Sequence, residues 1–334
     1  MNARGPPDDR DLATLLRFGT VAVDKPPGPS AHQVSGWVRD AVDDALASLD
    51  AEPAGRAAHA GTLDPKVTGC LPVLLGDATR LAPALGGAKE YVAVLELHGP
   101  APDDLQAVVD GFEAPLYQKP PRKSAVVRRL RVREVYDLDV LEVEERRALL
   151  RIRCEAGTYV RKLCHDLGLA LGTGAHMGDL RRTAAEPFDD RRLVDLYELV
   201  DALAFAVEGD ESLLREVVAP AERALVRLPR VTIAPSAAEQ VAHGAPVYAP
   251  GVLDVAGPVD ATDWTGERTG SSRDGARDGH GSGTEGEGTA TPDVADGTLV
   301  ACYTPDGAAI CLGRLVGDPD AERGEVVSLE RVLV

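Results

Sequence analysis

"HAGTLDPKVTG", His59 to Gly69, carries one carboxylate, Asp64, in a stretch built to hold it still. Gly61 stands before it, Pro65 restricts the backbone directly after it, and Gly69 opens the apolar run "CLPVLLG". Glycine lets a backbone come close to a ligand and proline stops it drifting. A glycosidase would need two placed carboxylates, and Asp64 has no evident partner acid. No nucleophile elbow marks a Ser/His/Asp triad. Gly172, Gly174 and Gly178 miss the dinucleotide spacing by one position, and no Walker Lys-Ser/Thr pair follows them. What remains is a single Asp acting as nucleophile or base, with a cation to keep it ionised.

The five cysteines are scattered and form no C-x-x-C pair. Buried free thiols are therefore expected, not a disulfide framework. Cys154, Cys164, His165 and His176 do not have zinc-ligand spacing. Neither a metal nor a cofactor is expected.

Charge is the unusual bulk property, with 54 acids against 36 bases and a net charge of −18. Strong acidity argues against a nucleic-acid partner unless it has another cause. Here it runs along the whole chain, as it would in a protein kept hydrated in a very salty cytoplasm, where charges are screened within roughly 3 Å at 1 M salt. Local exceptions then carry more information than the total. "QKPPRKSAVVRRLRVR", Gln118 to Arg133, holds seven Lys/Arg and no acid. Its Lys119, Arg122, Lys123, Arg128 and Arg129 are candidate RNA contacts. Arg161, Lys162, Arg181 and Arg182 form a second basic set.

The elements that must position these residues read as α+β. "VAVD" reads as a strand, and Ser30 caps the helix that follows it. "KEYVAVLEL" alternates like a strand, "PDDLQAVVDGF" is a short helix, and "VREVYDLDVLEV" with "ALLRIRCEA" makes a hairpin around "EERR". Thr158 is expected to cap a helix whose apolar face is Val160, Leu163, Leu167 and Leu171. Strands and helices without regular βα alternation point to a mainly antiparallel sheet with flanking helices. After "RLPRVTI" the texture changes to short strands and turns, as in a small β-barrel. The expected divisions are an N-terminal extension over 1–19, a first domain over 20–228 and a second over 229–334. Segment 258–297, rich in Gly, Ser, Thr and acids, is expected to be a disordered insertion. No apolar run approaches the roughly 20 residues of a membrane span, and the N-terminus has no apolar signal region. A cytoplasmic location is expected.

"DKPPGPS", "HAGTLDPKVTG", "KEYVA", "GTYVRKLCHDLG" and "LRRT" stand here in the order found in the TruB/dyskerin family of pseudouridine synthases, which this chain resembles from about Val21 to Arg223. "PPRKSAVVRRLRVREVY" resembles the archaeal–eukaryotic branch, and "HGAPVYAPGV" with the strands after it resembles the PUA RNA-binding domain. The resemblance implies the pseudouridine synthase fold and assigns roles residue by residue. Asp64 would be the catalytic aspartate, Tyr91 the residue stacking on the target uracil, and Arg161 the active-site arginine. Leu180 would close the pocket floor, His59 would lie near flipped-out bases, and Lys25 and Pro26 would support the Asp64 loop.

The implied reaction breaks the C1′–N1 bond of uridine, turns the uracil and joins C1′ to C5, with no cofactor or redox change. One carboxylate suffices for it. The implied substrates are tRNA at uridine 55 of the T loop, or sites chosen by a box H/ACA guide RNA. In the second case the partners would be a kink-turn-binding protein and two small accessory proteins. Taken singly, "LDP" is an ordinary turn, Tyr91 a cross-strand packing residue and Arg161 a helix-surface charge. A non-catalytic RNA-binding scaffold and an Asp-dependent nucleoside hydrolase are the rival readings. The basic tail of some relatives is not expected here.

Overall fold

The computed structural model describes residues 4–120, 127–259 and 294–334. Arg122, Lys123 and most of segment 258–297, including its expected disorder, lie outside the described residues. The chain divides into two compact units between Leu225 and Val226.

The first unit is built on a ten-stranded sheet. Gly19–Lys25 pairs antiparallel with Thr68–Leu75, and the hairpin Arg131–Glu144 with Arg147–Cys154 forms as its alternation requires. Lys89–Leu97 lies between Arg147–Cys154 and Ala175–Ala185, antiparallel to both. Thr68–Leu75 meets Ala175–Ala185 in a short parallel ladder, Thr68 opposite Arg181 and Gly69 opposite Arg182. The sheet is thus mixed and mainly antiparallel. Ala175–Ala185 has no apolar alternation to announce it, because one face carries Arg182 where a strand core would carry an aliphatic residue. It is nonetheless the strand that joins the two halves of the sheet.

Helix Ala31–Ser48 begins at Ser30, whose hydroxyl accepts from the Gln33 N–H in a capping box. It packs with Leu196–Val207 over one half of the sheet. Helix Val160–Ala170 covers the other half, burying Val160, Leu163, Leu167 and Leu171 as their spacing requires. Gly168 lets this helix approach the sheet, since a Cβ there would stand 2.1 Å from the Ala175 nitrogen. Thr158 does not cap it. The hydroxyl donates backwards to the Glu155 carbonyl at 2.7 Å, leaving Tyr159 at the cap position. Gln118 from a distant strand replaces the missing cap contact, its side-chain oxygen accepting from the Tyr159 N–H at 2.8 Å. Helix Leu12–Arg17, inside the expected N-terminal extension, places Leu12, Leu15 and Leu16 in the core.

Among the described residues the second unit has six strands, with Val247–Tyr248 and Val252–Ala256 at opposite ends of the pairing order. Those two are joined by the turn Ala249–Gly251. A flat sheet of six strands would be about 24 Å wide, whereas a three-residue link reaches about 10–14 Å. The sheet must therefore curl round on itself. All five cysteines are buried free thiols. Among the described residues no helix is long and apolar enough to cross a membrane.

Candidate active site

Asp64 sits in a tight turn closed by the Val67 N–H donating to the Asp64 carbonyl at 2.9 Å, with Pro65 inside it. Its carboxylate forms an ion pair with the guanidinium of Arg161, in the first turn of helix Val160–Ala170 and 97 residues away. Both side chains are about half exposed, at 53% and 52%. In water such a pair stabilises the fold by little, but its attraction grows once a bound nucleotide excludes solvent.

Around this pair lies a pocket of about 100 Å³. The turn contributes Thr62, Leu63, Asp64 and Val67, and the helix start Thr158, Val160 and Arg161. Tyr91 from Lys89–Leu97 and Met177 and Leu180 from Ala175–Ala185 complete it. Tyr91 and Leu180 each pack against two hydrophobic clusters of the unit, so the pocket opens where those two meet. The arrangement offers a carboxylate, a cation and a flat apolar wall to one small planar group.

Beneath the turn are buried cations held by backbone carbonyls. Lys25, fully buried, donates through Nζ to the carbonyls of Pro26, Pro65 and Val67 at 2.8, 3.0 and 2.8 Å, bracing the Asp64 turn from below. Lys89 donates to Leu85 and Gly87 at 3.1 and 2.9 Å. Arg182 is 1% exposed and belongs to the same layer. Its role was hidden in "LRRT", where the one available signal was its place two residues after Leu180 on the same face of a strand.

His59 is not in the pocket wall. Its ring lies between the hydroxyls of Ser35 (3.3 Å) and Thr62 (3.4 Å), with its pKa lowered first by burial and then by the His32 and Arg182 charges. It reaches the site through Thr62. The second basic set does not form an RNA-facing surface as grouped. Arg182 is buried, Arg181 pairs with Asp24 at 2.9 Å, and Lys162 pairs with Asp166. Of the first set, Lys119, Arg128 and Arg129 are exposed, with Arg128 donating to the Pro120 carbonyl at 2.9 Å. Exposed Tyr117, Val127, Leu130 and Val132 lie along the same stretch.

Buried titrating groups give this unit a particular pH response. Burial, helped by the Arg182 charge, pushes Lys89 down to about 8 from its ordinary 10.5. Between those values the unfolded chain holds a proton that the folded chain lacks, so stability rises with pH there. Burial pushes the Cys70 and Cys154 thiols up to about 11 and Cys164 to about 12, from 9.0. Above 9.0 the folded chain holds protons that the unfolded chain releases, so these three oppose Lys89 and outnumber it. Urea-unfolding midpoints in molar KCl should climb slightly between pH 8 and about 9 and then fall steeply. Lys89→Met should remove the climb. A midpoint that falls steadily from pH 7 in both proteins would contradict this.

Comparison with known proteins places the fold in a family. The family model described as "TruB family pseudouridylate synthase (N terminal domain)" matches residues 49–104, and "tRNA pseudouridylate synthase B C-terminal domain" matches 161–226. "Probable tRNA pseudouridine synthase B" of Haloarcula marismortui is 57% identical over all of this chain and 94% of its own length. The protein of the same name from Halobacterium salinarum is 57% identical over the whole of both chains. The crystal structure of a Cbf5–Nop10–Gar1 complex contains a chain similar over 100% of this one and 90% of its own length, at 37% identity and TM-score 0.80. An H/ACA ribonucleoprotein bound to a substrate RNA containing 2′-deoxyuridine matches over 100% and 91%, at 36% identity and TM-score 0.77. With its sheet and these relatives in agreement, the chain belongs to the archaeal TruB/Cbf5 family of pseudouridine synthases.

Proposed function

We propose that this enzyme isomerises uridine to pseudouridine in tRNA and in RNA chosen by an H/ACA guide, with Asp64 as the reacting carboxylate. The observation that carries the assignment is the Asp64–Arg161 pair at the mouth of a pocket walled by Tyr91 and Leu180. Asp64 either adds to the nucleotide or takes a proton from its sugar. Arg161 replaces the water that the carboxylate loses when the nucleotide binds. Tyr91 stacks on the extruded uracil and Leu180 supports it from the floor. Lys119, Arg122, Lys123, Arg128 and Arg129 hold the RNA outside the pocket, and His59 acts through Thr62 on the turn. The curled second unit serves as the PUA domain.

Relatives crystallised with Nop10 and Gar1, and with substrate RNA, support a place for this chain as catalytic subunit of such a particle. A kink-turn-binding protein would complete it. A purely scaffolding role leaves the paired carboxylate and its pocket without a use. Release of tritium from RNA containing 5-labelled uridine tests the reading. Release from naked tRNA marks the free enzyme, and release that needs guide RNA and accessory proteins marks the particle. Release from neither, or free uracil as product, overturns it.

Tyr91→Leu keeps apolar bulk and loses the flat surface. Stacking worth roughly 1–3 kcal/mol corresponds to a loss of about 5- to 150-fold in turnover. RNA affinity, set mainly outside the pocket, should stay within about twofold of wild type. Full activity of Tyr91→Leu in single-turnover assays would remove stacking from the account.

A further inference from the structure

Arg182 is among the largest fully buried side chains of the protein. A buried guanidinium is costly unless it is fully hydrogen-bonded. Its Nε donates to the Cys70 carbonyl at 2.7 Å, and its Nη2 donates to the Ala60 and Gly61 carbonyls at 3.3 and 3.1 Å. These carbonyls stand at the two ends of the segment that carries Asp64. One planar group therefore closes that segment into a loop.

Two glycines make room for it. Gly61 has φ +78°, and a Cβ there would stand 3.1 Å from Arg182 Nη1. Gly69 has φ +95°, and a Cβ there would stand 2.2 Å from the Arg182 carbonyl oxygen. The backbone of Arg182 is also registered opposite both Gly69 and Tyr91. Directly opposed residues of a ladder point to the same face, so the Arg182 and Tyr91 side chains are neighbours. The same residue thus holds the frame of the carboxylate and neighbours the residue that meets the uracil.

We propose that Arg182 is a positioning residue for the isomerisation, a buried fork that sets the Asp64 loop and the Tyr91 ring in a fixed mutual position. It touches neither substrate nor reacting atoms. A lysine cannot replace it, because one ammonium cannot span carbonyls at both ends of the loop in the planar geometry of a guanidinium. The Tyr91 hydroxyl then acts by orienting the ring against Arg182, not by carrying a proton. This inference rests on Asp64 and Tyr91 being the working groups.

Arg182→Lys should fold, bind substrate RNA within about twofold of wild type, and lose about 10- to 100-fold in kcat with KM little changed. Tyr91→Phe should lower kcat in the wild-type protein but have less than about a twofold effect in the Arg182→Lys background. A residue that only stabilised the fold would lower the unfolding midpoint without that non-additivity. Wild-type kcat in Arg182→Lys, or effects that simply multiply in the double variant, overturns the proposal. Should Arg182→Lys fail to fold, Gly61→Ala takes its place, because its methyl presses on Nη1. Loss of kcat at unchanged RNA affinity is then expected, and wild-type kcat is the overturning result. Asp64→Asn separates the two levels. If it is active, the assignment of the working groups fails; if it is inactive while Arg182→Lys is fully active, only the role of Arg182 fails.

Discussion

Asp64→Asn should make no detectable pseudouridine. The amide keeps the size of the carboxylate and most of its hydrogen bonding, but loses the charge needed to add to the nucleotide or take its proton. The turn should survive, because the contacts that shape it are made by backbone. The Val67 N–H donates to the Asp64 carbonyl, and Lys25 holds the carbonyls of Pro65 and Val67. Arg161 loses its partner but is half exposed, so water can take over. Stability should change by no more than about 1 kcal/mol. Tritium release, RNA affinity and an unfolding curve, measured together, distinguish a lost reaction from a lost fold. Turnover above a few per cent of wild type would mean that another group does the chemistry.

A second large effect is expected from salt, with activity negligible in dilute buffer and rising toward molar KCl. Most proteins that bind RNA do the opposite, because their affinity comes from releasing counterions and falls as salt is added. At a net charge of −18 this chain repels an anion at low salt, and exposed Lys119, Arg128 and Arg129 are few against that field. Near 1 M salt the repulsion is screened within roughly 3 Å. Affinity must then rest on stacking, shape and hydrogen bonds, to which arginine contributes through its planar, weakly hydrated fork. Arg128→Ala with Arg129→Ala should weaken RNA binding even at high salt. The measurement is RNA affinity against KCl, with circular dichroism alongside to separate binding from unfolding. Affinity that falls steadily with salt while the protein stays folded would return the interface to ordinary phosphate attraction.

Local chemistry was legible in the residues themselves. The capping box at Ser30, the hairpin around Glu145 and Arg146 and the apolar stripe from Val160 to Leu171 depend on neighbours within a few positions. So does the Gly–Asp–Pro–Gly turn, since φ preferences and short hydrogen bonds act over that range. Resemblance to a family carried the roles of Asp64, Tyr91, Arg161 and Leu180, and the structure brings all four to one pocket. Thr158 does not cap its helix, because Gln118, 41 residues before Tyr159, supplies the contact at the helix start across the fold. Strand Ala175–Ala185 has no alternation to reveal it, and Arg182 stands in sequence as one more member of the second basic set. Beyond its place two residues after Leu180, the linear sequence does not distinguish a solvated arginine from one hydrogen-bonded by carbonyls at Ala60, Gly61 and Cys70. The pairing of Asp64 with Arg161 across 97 residues was likewise decided by tertiary structure. Strand register and the meeting of two cores set that distance, because hydrophobic burial is non-directional and only the packed sheet gives it an orientation.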